Sequence, residues 1–156
     1  MSALSPILIQ VVSLLDQAGV QYRCVQHEPG QTAESIAVAR GTPLELGVKA
    51  LLMKTKTEWV LIAVRAHQRS DNRKVRHALG SQKLRFASRD ELSSHGLAPG
   101  QVPPFGEPVL PFRLVADRGV VAFPQLAFTA GTNTDSIVMA TTDWQQLAQP
   151  EILELV

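Results

Sequence analysis

Apolar residues recur at helical spacing near the start of the chain, at Ile7, Leu8, Val11, Val12, Leu14, Leu15 and Ala18. Ser5-Pro6 offers an N-cap and a first-turn proline, and Gly19 an ending, so the pattern predicts a helix. Tyr22 to Gln26 predicts a short strand, and Pro29-Gly30 a turn. Thr32 is placed to cap a small helix through Ala39, which Gly41-Thr42-Pro43 breaks. Two apolar runs, Val48 to Thr55 and Trp59 to Ala66, flank Lys56-Thr57-Glu58 and predict a hairpin. Ser70 is placed to cap a helix through Leu79, closed by Gly80. Lys83 to Ala87 predicts a strand, and Ser88-Arg89-Asp90-Glu91 is a capping box opening another helix. Phe112 to Ala116, Val120 to Phe123, Leu126 to Ala130 and Ser136 to Ala140 are strand candidates. Thr142 is placed to cap a last helix, Asp143 to Gln149.

Short strands separated by hairpin-length turns, with helices at the start, middle and end, predict an α+β domain. Its sheet is mixed, largely antiparallel, and packed with helices. The chain of 156 residues reads as one domain, 1–156, without repeat or linker. Leu97 to Pro108 stands apart. Four prolines and Gly100 and Gly106 exclude a helix interior or a central strand, while apolar Val102 and Phe105 argue against a floppy linker.

Composition narrows the function classes. A net charge of +1 excludes the broad electropositive surface of a nonspecific duplex binder, though not one local basic face, so DNA is not an expected partner. No window approaches the ~18 apolar residues needed to span a bilayer, and the N-terminus carries no basic leader, so a membrane is not expected either. The expected location is cytoplasmic. Cys24 is the single cysteine, which excludes an internal disulfide and a thiolate cluster. No metal spacing joins His27, His67, His77 and His95, and neither a cofactor nor a metal is implied. Phosphate loops, dinucleotide fingerprints and serine-hydrolase elbows are absent from the sequence.

What chemistry remains is sparse. Arg65, Arg69, Arg73, Lys74 and Arg76 form one local basic stretch, either a solvated helix face or a phosphate-contacting surface. Cys24 lies in an apolar strand pattern and reads as a buried, inert thiol. Lys49 begins an otherwise apolar strand. It is either an edge lysine with its amine in water, or a cation in a cleft that holds a phosphate or polarises a carbonyl. Ala130 to Ser136 is by default a turn, where Gly131 would let backbone approach a ligand and Asp135 could accept a hydrogen bond.

The order of these fragments carries more than any one of them. His27-x-Pro29 precedes Thr32-Ala-Glu-Ser-Ile-Ala37, then Gly47-Val-Lys49-Ala-Leu-Leu. Next come Leu84-Arg-Phe-Ala-Ser-Arg-Asp-Glu-Leu92, Gly96-Leu-Ala-Pro-Gly100-Gln-Val-Pro-Pro104-Phe-Gly106 and the Gly131 turn. Over roughly residues 20 to 142 this series resembles the YbaK/prolyl-tRNA-editing domain family, the aminoacyl-tRNA deacylases.

The resemblance implies the YbaK/prolyl-tRNA synthetase-associated fold, with a barrel-like sheet. It also implies a free-standing, trans-editing hydrolase that removes a wrong small amino acid from the 3′ end of tRNA. Its partners would be the acceptor end of aminoacyl-tRNA and an aminoacyl-tRNA synthetase. Lys49 matches the family's strand lysine, which binds the substrate carbonyl or the terminal phosphate region. Gly100 and Pro104, with Phe105, match the loop that walls the amino-acid pocket. Gly131 matches the late glycine whose backbone positions the attacking water, and His27 a histidine near the entrance. Two positions depart from the family. Asp135 stands where some members carry histidine, and Ala50 where a threonine, serine or asparagine is common. Both line the family's pocket, so the amino acid removed stays open. The alternative is a non-catalytic module of the same fold that binds tRNA or a synthetase.

Overall fold

The computed structural model describes residues 5–156. Met1 to Leu4, part of the stretch read for a leader, lie outside the described residues. Helix α1 (Pro6–Ala18) is opened by the Ser5 hydroxyl, which accepts from the Leu8 N–H at 3.4 Å, and closed by Gly19 at φ 69°. It buries Ile7, Leu8, Val11 and Leu15. Val11 and Leu15 are wholly excluded from solvent, worth about 1.5–3 kcal/mol each. Strand β1 (Tyr22–Gln26) follows. Helix α2 (Ala33–Arg40) starts in a reciprocal box between Thr32 and Ser35 and stops at Gly41, φ 77°. The hairpin is β2 (Val48–Thr55) and β3 (Trp59–Arg65). Then come α3 (Asn72–Leu79), β4 (Leu84–Phe86), α4 (Arg89–Ser93), β5 (Arg113–Asp117), β6 (Gln125–Thr129), β7 (Asp135–Ala140), α5 (Thr141–Ala148) and β8 (Glu151–Leu153).

The strands form two sheets, ordered β1-β7-β6 and β4-β2-β3-β5-β8. The first is antiparallel throughout. In the second, β4 and β3 flank β2 antiparallel, while β5 joins β3 and β8 joins β5 in parallel. The expected α+β class is therefore found, with mixed pairing. The expected barrel-like closure is not: a single parallel bridge, Gly47 to Ala127, links the sheets.

Several local expectations shift. Val120 to Phe123 is not a strand. The Asp117 carboxylate accepts from the Gly119 N–H at 2.8 Å and starts a 3₁₀ turn over Arg118–Val121, which buries Val120 without a ladder. Helix α3 is capped by Asp71 rather than Ser70, because the carboxylate reaches both the Arg73 and Lys74 N–H groups. Helix α5 begins one residue after Ala140 with no side-chain cap, so Thr142 is inside it. Strand β8 has no counterpart in the sequence reading. Its three residues are too few for a period, and it exists because β5 offers a free edge. Cys24 is exposed rather than buried, because the sheet face it stands on opens into a depression beside Leu8, Ile9 and Val12 of α1.

The β2–β3 register fixes the faces. Lys49 pairs with Val64 and Ala50 with Ala63. Ala50, Leu52, Leu61 and Ala63 point into the main core, with α1 and the proline-rich loop. Met53, Val60, Ile62 and Val64 point the other way, onto Val75 of α3 and Leu155. Alternation puts Lys49 on this second face with Leu51 and Met53.

Candidate functional site

Lys49 stands where the second face runs out of cover. Its side chain is half-buried and meets no hydrogen-bond or ion-pair partner among the described residues. Burial, and then the like charge of Arg69, lower its pKa from the ordinary lysine value. A cation left unpaired beside a cavity is a standing attraction for an oxygen bearing partial negative charge.

One cavity beside it is a cleft of about 240 Å³ between α2, the start of β2 and the proline-rich loop. Thr32, Ile36, Arg40, Lys49, Gly100 and Thr129 are among its walls. Gly100 sits at φ 84°, and its carbonyl accepts from the Thr129 hydroxyl at 2.6 Å, tying the loop to β6. The loop is held elsewhere as well. The buried Trp144 indole donates to the Pro104 carbonyl at 2.8 Å. The Gly131 N–H donates to the Gln101 carbonyl at 2.8 Å. Phe105 packs edge-on against Phe128, ring centres 5.7 Å apart. These contacts explain a proline-rich segment with apolar residues: it is a wall of the core whose outer corner, Gly100, lines the cleft.

Arg40 is the residue the sequence reading missed. It ends α2 just before Gly41, and it is only 6% exposed. Burial pulls its pKa down to about 10. Its Nε donates to the Thr42 hydroxyl at 3.0 Å and Nη1 to the Ser136 hydroxyl at 3.3 Å. Ser136 lies 2.7 Å from His27 Nε2, and His27 Nδ1 lies 2.9 Å from the Glu28 carbonyl. A carbonyl only accepts, so in the neutral imidazole Nδ1 carries the proton and Nε2 accepts from Ser136. The chain therefore runs Arg40 to Ser136 to His27. Ser136 and His27 have the contact of a nucleophile and its base, but Ser136 is 1% exposed and sits behind Arg40. No signal in the sequence joins residues 40 and 136. Gly47 permits the arrangement, because a Cβ there would stand 3.1 Å from the Arg40 Nη2.

The structure thus brings Lys49 and Gly100 together and attaches His27 through Ser136 to the wall. Other candidates lie elsewhere. Ala50 and Phe105 face the main core, and Pro104 is buried. Gly131 is packed against the start of α1 with its N–H already committed. Asp135 accepts from the Thr132 hydroxyl at 2.7 Å and borders a different depression, beside Cys24 and α1. Partial burial, then Asp135 and Asp16, push the Cys24 thiol up, so it stays protonated although exposed. The basic stretch divides. Arg65 lies over Phe123, 4.3 Å from the ring centre, and its Nε donates to the Gly119 carbonyl. Arg73 and Lys74 line a hollow next to Leu153 and Glu154, and Arg76 is half-buried in α3. Arg69 alone borders Lys49, in a second depression.

Among the described residues, the cleft joins a glycine corner to one lysine without a partner and holds no accessible serine–histidine pair. Residues 27–147 match the model of the aminoacyl-tRNA editing domain, and the chain belongs to that family. It is 34% identical over 151 residues to the multifunctional Ser/Thr-tRNA deacylase ProXp-y of Escherichia coli K12, covering 92% of this chain and 89% of that one. It is 30% identical over 136 residues to the proline–tRNA ligase of Xanthomonas campestris pv. campestris, covering 86% of this chain and 24% of the ligase. A crystal structure described as a candidate trans-editing enzyme for prolyl tRNA synthetase superposes with a TM-score of 0.84 at 25% identity, over 98% of both chains. Among the described residues no helix is long and apolar enough to cross a membrane.

Proposed function

We propose that this editing domain deacylates tRNA carrying a small, wrong amino acid, with serine and threonine the first substrates to test. The observation that carries the reading is the unpartnered Lys49 at the mouth of the cleft. The Lys49 ammonium holds the ester carbonyl oxygen and takes up its growing negative charge as water adds. The bond to the terminal ribose then breaks, and the ribose oxygen leaves with a proton. An ester needs no protein nucleophile for this, and one well-placed donor contributes ~10²–10³ in rate.

The wall of Thr32, Ile36, Arg40 and Gly100 would receive the amino-acid side chain. One methylene separates substrates by only ~1–3 kcal/mol, so exclusion of a larger cognate residue is the workable filter. The E. coli relative's name supports serine and threonine. The match within a proline–tRNA ligase supports a functional tie to a synthetase.

The test is a deacylation panel of tRNAs charged with alanine, serine, cysteine, threonine and proline. Loss of one or a few esters, reduced ~100- to 1000-fold in a folded Lys49→Ala protein, is the expected result. Equal turnover by Lys49→Ala would reject the assignment.

A further inference from the structure

The cleft accounts for one flank of Lys49. On the other lies a depression of about 360 Å³ bordered by Leu51, Arg69, Ser70, Asn72 and Phe86. Phe86 is 54% exposed on the edge strand β4. Its pairing with Met53 puts it on the same sheet face as Lys49 and Leu51. The other phenyl rings are all engaged: Phe105 with Phe128, Phe112 with Trp59 and His95, and Phe123 under Arg65. Among the described residues Phe86 has neither an aromatic nor a cationic partner. Arg69 is exposed and, like Lys49, has no acidic partner there. The neighbouring Arg85 is neutralised by Glu91, at 2.7 Å.

A free aromatic face beside two free cations, with a serine and an asparagine between, matches an unpaired nucleotide: base on the ring, phosphate on a cation. We infer that this depression is a binding subsite for single-stranded RNA, in which a base of the tRNA 3′ strand stacks on Phe86 while Arg69 holds its phosphate, leaving the Lys49 ammonium to the ester. The direction of the strand rests on the deacylase reading, which places the ester at Lys49. The RNA then approaches over β4, and the amino acid enters the cleft on the opposite flank. Every base has a π-face, so the subsite tolerates any base but requires one.

The test uses the full chain and a fluorescent six-nucleotide RNA ending in cytidine-cytidine-adenosine. Phe86→Ala is expected to weaken binding about 5- to 150-fold, and Phe86→Trp to preserve it, at unchanged melting temperature. Arg69→Ala is expected to reduce the slope of log K against log salt by about 0.7. Unchanged affinity in Phe86→Ala, or no RNA binding by the wild type, overturns the subsite. Turnover of charged tRNA by the wild type separates the two readings. Turnover with Phe86-independent binding removes the subsite and leaves the deacylase. Phe86-dependent binding with no ester turned over removes the deacylase and leaves the subsite.

Discussion

Arg40, the last residue of α2, and His27, just past the end of β1, meet on one hydroxyl: Arg40 Nη1 lies 3.3 Å from Ser136 Oγ, and His27 Nε2 lies 2.7 Å from it. Ser136→Ala removes the acceptor from a buried charge and the donor from the imidazole. The expected loss is about 1.5–3 kcal/mol of stability, with a fall in deacylation as the cleft wall loosens. Urea unfolding and single-turnover kinetics measure the two. An unchanged urea midpoint would show that the shared hydroxyl holds nothing.

Lys49 works against the fold that holds it. Its charged form is disfavoured by burial and by Arg69, so its folded pKa lies below 10.5. Two signs follow. Activity that needs the ammonium declines as pH rises through that lowered value, before free lysine would titrate. Stability moves the opposite way, the penalty being fully present below the folded pKa and relieved as pH rises toward the unfolded value. Lys49→Met is therefore expected to lose deacylation while melting at the same or a higher temperature, as calorimetry would read. A large drop in melting temperature would assign Lys49 to structure.

Two glycines of left-handed backbone separate by what surrounds them. At Gly131, φ 80°, a Cβ would stand 2.5 Å from the Ser5 hydroxyl and 3.0 Å from the Leu8 nitrogen. At Gly100, φ 84°, it would meet only the Asn133 side chain, at 3.3 Å. Gly100→Ala should cost about 1–2 kcal/mol, from backbone strain alone. Gly131→Ala should cost more, because α1 must also move. Equal urea midpoints for the two variants would contradict this ordering.

Trp144→Phe leaves the Pro104 carbonyl buried without its donor. A loss of about 1–3 kcal/mol is expected. Hydrogen exchange should quicken at Gly131, whose N–H is bonded to the same loop at Gln101. Unaltered exchange there would show that the loop is held by its prolines alone.

The sequence was most legible where one residue type answers one local need. Ser5-Pro6, Thr32, Ser88, Gly19 and Gly41 marked helix ends because capping is a matter of adjacent residues. It was least legible where partners are distant. Nothing near Arg40 announces Ser136, and nothing in Val120 to Phe123 shows that Asp117 and Arg65 will fold it into a turn. The basic stretch from Arg65 to Arg76 looked like one surface because sequence distance is blind to the bend after β3. Lys49 stands out as a cation opening an apolar strand and Gly100 gains its role only through the resemblance; their shared cleft is visible only when the loop is in place. Phe86 stands in the sequence only as part of the Lys83 to Ala87 strand and the Leu84 to Leu92 segment, since whether a helix covers a sheet face is settled by the packing of α3.

The pairing of Lys49 with Val64 and of Ala50 with Ala63 makes the site a question of parity. One residue inserted between Lys49 and Thr55 would send the ammonium into the main core and present a methyl group to the cleft. Two would restore the outward direction. Odd and even length changes in this hairpin should thus have opposite fates, although none touches a residue of the cleft. The reach of the strand between Lys49 and the turn at Lys56-Thr57-Glu58 therefore extends to the cleft: the number of its residues decides which side of the sheet carries the ammonium.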